Sequence, residues 1–169
     1  MYQPVPSNLS FAAIREYAEK VGATHDIYDE NGCADIEGLF TKLGGRQRKI
    51  DDGEPFIIEE PGSFNISLSS FQSNNRDLLQ LGRAIGAYFL HYRHPKVEGY
   101  TKFNWNELDH KIMEQANHFY ATLAMPEAHF TQQFEIHKDE VKWDWRLASI
   151  FRISPQAVTV RAQVLGLIR

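Results

Sequence analysis

The residues able to do chemistry in this sequence are few. His110, Glu114 and His118 recur at i, i+4 and i+8, which on a helix brings an imidazole, a carboxylate and an imidazole to one stripe, a spacing that suits a transition metal. Leu108, Ile112, Ala116, Phe119 and Leu123 mark the core face of the same helix, so the three polar residues fall on its far side, where a solvated face is the expectation and no metal. His91 and His94 are a second pair of candidate ligands, for which a packing or hydrogen-bonding role is the expectation. Cys33, the one cysteine, sits in a polar stretch with no neighbouring histidine to activate it, which gives nucleophilic catalysis little support. It also excludes an internal disulfide and any multi-cysteine zinc or iron–sulfur site.

Arg83 is the most informative residue. It lies in the run Arg76-Asp77-Leu78-Leu79-Gln80-Leu81-Gly82-Arg83-Ala84-Ile85-Gly86-Ala87-Tyr88-Phe89-Leu90-His91. Leu78, Leu81, Ile85, Tyr88 and Phe89 form an ordinary apolar helix face. The opposite face carries Arg83, Ala84, Ala87 and His91 where a wetted helix would carry Glu and Lys. A helix small or apolar on both sides is buried on both. Gly82 and Gly86 cost about 1 kcal/mol each in helix propensity relative to Ala, and their expected return is the close approach of another backbone. Arg83 is then a formal charge in a buried helix, costly unless paired. It either pairs with a carboxylate, Glu114 being nearest by register, or runs its aliphatic stem to solvent at a cleft mouth, which is the default.

These residues need elements to position them. Phe11, Ile14, Tyr17, Ala18 and Val21 give a first helix from about Ser10, with Gly22 as its stop. Asp35 caps a second, whose period is carried by Ile36, Leu39, Phe40 and Leu43 and which Gly44-Gly45 ends. Phe56-Ile57-Ile58, between Gly53 and Pro61, and the alternation of Phe64, Ile66 and Leu68 read as two strands joined by Pro61-Gly62-Ser63. The remainder reads as helices near 75–91, 106–123, 141–151 and 155–165, the last opened by Ser154 and Pro155. The expected class is α+β: a small antiparallel sheet or hairpin packed with helices and closed by a C-terminal helical pair.

Four segments carry a family resemblance. Arg76 to His91 resembles the central helix of the ImmA/IrrE metallopeptidases, which reads roughly R-F-T-L-A-H-E-L-G-H-Y-L-L-H. Gln115-Ala116-Asn117-His118-Phe119-Tyr120-Ala121-Thr122-Leu123-Ala124-Met125-Pro126 resembles the family's E-A-N-x-F-A-x-x-L-L-M-P helix. Leu147 to Val158, with Arg161 and Leu165-Gly166-Leu167, is similar to its L-A-x-x-F-x-V-S-x-x-A-V-x-x-R-L-x-x-L-G-L ending, and Asp35 to Gly44 looks like its opening helix. The resemblance implies a zincin-like core over residues 35–169, with 1–34 as an N-terminal helical extension.

It also implies a loss. The motif H-E-x-x-H works because two histidines one turn apart hold zinc while the glutamate activates water. In this register Arg83, Ala84 and Ala87 stand at those three positions. Arginine stays cationic and cannot ligate zinc, and alanine has no ligand atom. The family's third ligand is a glutamate at one of two acidic positions on the next motif helix. Met113 and Gln115 stand there, and Glu114 lies between them, a helical step away. The expectation is a pseudopeptidase: not an enzyme, with no cofactor and no metal. The resemblance implies a setting on prophages or mobile elements, beside helix-turn-helix repressors, and so an antirepressor-like regulator that grips such a protein. Its expected cleft is Arg83, Ala84, Ala87, His91, Glu114 and Asn117. The alternatives are a hydrolase with ligands recruited from His91, His94, His110, Glu114 or His118, and a DNA-binding regulator using the C-terminal helices.

Composition bears on these alternatives. The 169 residues are 43% hydrophobic and 24% charged, ordinary for one globular domain with a full core. Eighteen Lys and Arg against 22 Asp and Glu leave a net charge of -4, against a mainly electrostatic nucleic-acid binder. Arg146, Arg152, Arg161 and Arg169 add local positive charge near the C-terminal pair, but Val158, Val160, Val164 and Leu165 leave little polar surface to meet base edges. The aromatic-rich stretches Trp143-Asp144-Trp145 and Tyr100 to Trp105 could be core or interaction anchors. No stretch approaches the apolar length that spans a membrane, and Met1 to Pro6 lacks a basic region followed by an apolar run, so a cytoplasmic location is expected. The expected partner is a protein, with neither membrane nor nucleic acid involved, and the oligomeric state is left open.

Overall fold

The computed structural model describes residues 1–50 and 55–169. Gly53, taken above as a strand boundary, lies outside them. The described residues form seven α-helices and one four-stranded sheet, an α+β fold.

Helix α1 (Phe11–His25) begins where the Ser10 side chain accepts a hydrogen bond from the Ala13 amide at 3.1 Å. It runs past Gly22, the expected stop, and ends at Asp26 in the left-handed region (φ 51°). Gly22 is there for packing instead. A Cβ at that position would fall 2.1 Å from the Tyr28 hydroxyl, and that hydroxyl donates to the Leu123 carbonyl at 2.6 Å. Helix α2 (Ile36–Lys42) is capped as expected, with the Gly38 amide donating to Asp35 at 3.0 Å.

Strands β2 (Phe56–Glu60) and β3 (Ser63–Ser69) form the expected antiparallel hairpin, with Phe64, Ile66 and Leu68 turned into the core. The sheet is nevertheless mixed, not antiparallel. Its order is β1-β3-β2-β4, and β1 (Gly45–Ile50) lies parallel to β3. Strand β1 escaped the hydrophobic pattern because Arg46, Gln47, Arg48 and Lys49 are exposed on both of its faces. Charged residues on an edge strand also discourage further pairing. Strand β4 (Thr101–Phe103), antiparallel to β2 on the other edge, has only three residues and shows no period.

Helix α3 (Asn74–Tyr88), capped by Ser73, continues into a π-helical turn over Phe89–Arg93. Helix α4 (His110–Ala124) starts four residues later than its periodicity suggests, at the Asp109 cap. Helix α5 (Glu127–His137) has no counterpart in the sequence reading. Only Phe130 and Phe134, with Gln133, are buried along it, and a single pair one turn apart makes a weak stripe. Helices α6 (Trp143–Phe151) and α7 (Pro155–Val164) form the expected C-terminal pair, with the Ala157 amide donating to Ser154 at 3.1 Å.

One core joins these parts. Phe40, Phe56, Phe64 and Phe103 pack where α2 meets the sheet, and Phe119 and Leu123 of α4 meet Ile14 and Ala18 of α1 in the same continuous cluster. The first 34 residues therefore share the hydrophobic core of the rest.

Candidate functional site

The seam between α3 and α4 holds most of the expected site. The two helices run antiparallel: Gly86 faces Ala116 and Gly82 faces Tyr120. A Cβ on Gly86 would fall 2.6 Å from the Ala116 carbonyl oxygen, and one on Gly82 would meet the Tyr120 ring at 2.0 Å. These glycines let the backbones approach closely, which is the return for their cost in propensity.

Arg83 projects from α3 at this seam and is half-buried. Its Nε donates to Asn117 Oδ1 at 2.8 Å, and its guanidinium lies 5.6 Å from the centre of the Trp105 ring, a cation–π distance. Among the described residues no carboxylate forms an ion pair with it, Glu114 included. Burial, and then the positive charge of Arg76, push the guanidinium below its ordinary pKa, though it stays cationic at any pH the fold meets. An amide oxygen holds its Nε and an indole lies against its face, at the mouth of a cleft.

Ala84 and Ala87 are fully buried. His91, two turns on, is 1% exposed. Its Nδ1 donates to the Val5 carbonyl at 3.2 Å, and its Nε2 has no hydrogen-bond partner among the described residues. Burial pushes its pKa down to about 4, so the ring is neutral near pH 7. Gln115 grips the same N-terminal segment. Its side-chain oxygen accepts from the Ser7 amide and its side-chain nitrogen donates to the Ser7 carbonyl, both at 2.9 Å. Tyr2 makes a parallel bridge to Thr101 on β4. Residues 2–7 thus form a strap tied down at three points, to β4, to the helix carrying Ala87 and His91, and to α4. Sequence reasoning missed the strap. Its signal was two polar residues, His91 and Gln115, on helix faces otherwise given to the core.

The six residues of the expected cleft do not share one surface. Arg83 lines a cleft of about 510 Å³ between the sheet and the start of α4, together with Arg76, Gln80, Asn104, Trp105 and Met113. Glu114 and Asn117 line a second groove of about 530 Å³ between α4 and α7, largely walled by Leu79, Ala121, Ala157, Val160 and Val164, with Arg76 bordering both. Ala84, Ala87 and His91 line neither, because α4 and the strap close over them. Of the two positions weighed for a third ligand, Met113 shares the Arg83 cleft and Gln115 is buried against Ser7.

The remaining candidates are apart from this seam. His110 and Glu114 are exposed on α4, whereas His118 is half-buried, with Arg15 Nη1 at 3.1 Å from its Nε2 and the Phe11 ring 4.6 Å away. Among the described residues no three His, Cys, Asp or Glu side chains are grouped to hold a metal ion. His94 is exposed beside Tyr17. Burial, then the nearby Asp29, push the Cys33 thiol up, which keeps it protonated. Arg161 is buried, donating from Nε to the Met125 carbonyl at 2.9 Å, and so fastens α7 to the end of α4. Trp143 packs edge-on against Phe134, whereas Trp145 is 63% exposed. No helix among the described residues is long and apolar enough to cross a membrane. No protein-family model matches the chain, and no curated protein matches it significantly.

Proposed function

We propose that the chain is an inactive relative of the ImmA/IrrE metallopeptidases, with a zincin-like core, that acts by binding another protein. The observation that carries this reading is the α3–α4 seam. The two helices bearing the resemblance pack face to face, as a metal site shared between them requires, yet what they bring together is Arg83 with Asn117, beside the buried Ala84 and Ala87. None of these offers a metal ligand of the family's kind or a general base. A scaffold that keeps the fold and lacks the hydrolytic groups retains only its capacity to bind.

The partner in this reading is a helix-turn-helix repressor, and the chain acts on it stoichiometrically as an antirepressor. The binding surface is the open cleft of Arg76, Gln80, Arg83 and Trp105. It does not include Ala84, Ala87 or His91, which no partner can touch while the strap is in place. Trp105 and Arg83 are residue types that dominate protein interfaces when desolvated.

Affinity capture of the tagged full chain from its own cell, read by intact mass, tests the proposal. The expected result is an uncleaved helix-turn-helix repressor whose recovery falls when Trp105 is replaced by Ala. A repressor recovered in cleaved form, or no such protein at all, overturns it.

A further inference from the structure

Arg83 and Arg76 stand two helical turns apart on α3 and line the same 510 Å³ cleft. The chain carries 22 acidic side chains, an excess over its basic ones, yet among the described residues none is ion-paired to either guanidinium. The nearby Asp77 is taken by Lys49 at 2.6 Å. Arg83 spends its Nε on Asn117 and lays its face over Trp105, and among the described residues its two terminal nitrogens have no hydrogen-bond partner. They are not sealed in the core either, since among the described residues the one buried side-chain nitrogen or oxygen without a partner is on His91. The half-buried guanidinium is therefore fixed at its stem and open at its fork, the form in which arginine takes an oxyanion through two parallel hydrogen bonds. Asn104, Asn106, Gln80 and Ser67 add polar groups around the cleft, and Trp105, Met113 and Ile66 give it an apolar wall.

We propose that this cleft is a binding site for an oxyanion, a carboxylate or phosphate carried on an apolar body, with the Arg83 fork as its anchor, Arg76 as the second positive charge and Trp105 as the wall against which the body lies. The anion supplies the partner that the fold withholds from Arg83, and a carboxylate and a phosphate are the two sources of that one chemistry. Such a ligand binds here whether or not a repressor is the chain's partner.

Calorimetric titration of the full chain with phenyl phosphate, benzoate and uncharged benzyl alcohol tests the assignment. The anions are expected to bind and the alcohol to bind at least about tenfold more weakly, because one charge-assisted pair of hydrogen bonds is worth that factor or more. A phosphate tighter than the carboxylate identifies a phosphate site, and equal affinities a general oxyanion site. Arg83→Gln is expected to weaken phenyl phosphate by about tenfold to a hundredfold. Arg76→Gln, at an exposed residue, is expected to weaken it about two- to fivefold and gives a reading even where the first variant does not fold. No anion binding by the wild-type chain, alcohol affinity equal to that of the anions, or affinities unchanged in Arg76→Gln and in a folded Arg83→Gln overturns the proposal.

Discussion

Lowering the pH from 7 to 4 should loosen the strap over the α3–α4 seam, and His91 sets the size of the effect. In the folded chain burial holds the ring at a pKa of about 4, against an ordinary 6.5. Between these values the unfolded chain binds a proton that the folded chain refuses, so folding stability rises with pH. The contribution is complete above about pH 6.5 and is lost as the pH falls through 4. At 1.36 kcal/mol per pKa unit the gap is worth about 3 kcal/mol, a large share of the stability of a domain this size. Other acidic and basic groups of the chain also contribute to the acid response, so the wild-type slope alone does not isolate the histidine. His91→Asn does: its amide can still donate to the Val5 carbonyl, and it does not titrate. Urea unfolding of both proteins at pH 7, 5.5 and 4 should show the stability of wild type relative to the variant falling by about 2–3 kcal/mol toward pH 4. A difference that stays constant across the range would refute the reasoning, since the burial of a neutral His91 would then contribute nothing to the acid sensitivity.

Other perturbations probe the same seam. Gly86→Ala improves helix propensity by about 1 kcal/mol but drives a Cβ against the Ala116 backbone, and overpacking costs about 1–3 kcal/mol, so the melting temperature should fall where propensity alone would raise it. Gln115→Ala leaves the Ser7 amide and carbonyl unpaired and should cost about 1–3 kcal/mol, with faster amide exchange confined first to residues 2–9. Arg161→Met strips the buried Met125 carbonyl of its donor and should destabilise by about 1–3 kcal/mol in thermal unfolding, an effect unrelated to any DNA contact.

Local signals made much of the fold legible. Side-chain caps at Ser10, Asp35 and Ser154 mark helix starts that the structure reproduces, and the alternation of Phe64, Ile66 and Leu68 marks β3. What failed was whatever depends on distant partners. Strand β1 is polar on both faces and exists because β3 offers it a ladder, and β4 is three residues held by β2. Gly22 reads as a stop because glycine often ends helices, but here it makes room for Tyr28, which is nearby in sequence yet placed by Leu123. In the site, Gly82 and Gly86 announced a close approach from composition alone. The division of Arg83 from Ala84, Ala87 and His91 was hidden, because the strap that buries His91 reaches Gln115 across 108 residues and carries no periodicity of its own. Arg83's surroundings were hidden for a related reason. Register made Glu114 the nearest candidate partner beside the default of a stem run to solvent, whereas Asn117, almost one turn further along α4, is the residue that meets the guanidinium.

In the proposed reading this chain binds and does not hydrolyse, because Arg83, Ala84 and Ala87 stand at the positions that the ImmA/IrrE resemblance assigns to a zinc site. Zinc retention tests that claim most directly. The untagged full chain is equilibrated with zinc, dialysed against metal-free buffer at pH 7 and assayed for metal per chain. The account expects far less than one equivalent to remain. One zinc per chain surviving dialysis would contradict it and return the protein to the hydrolases.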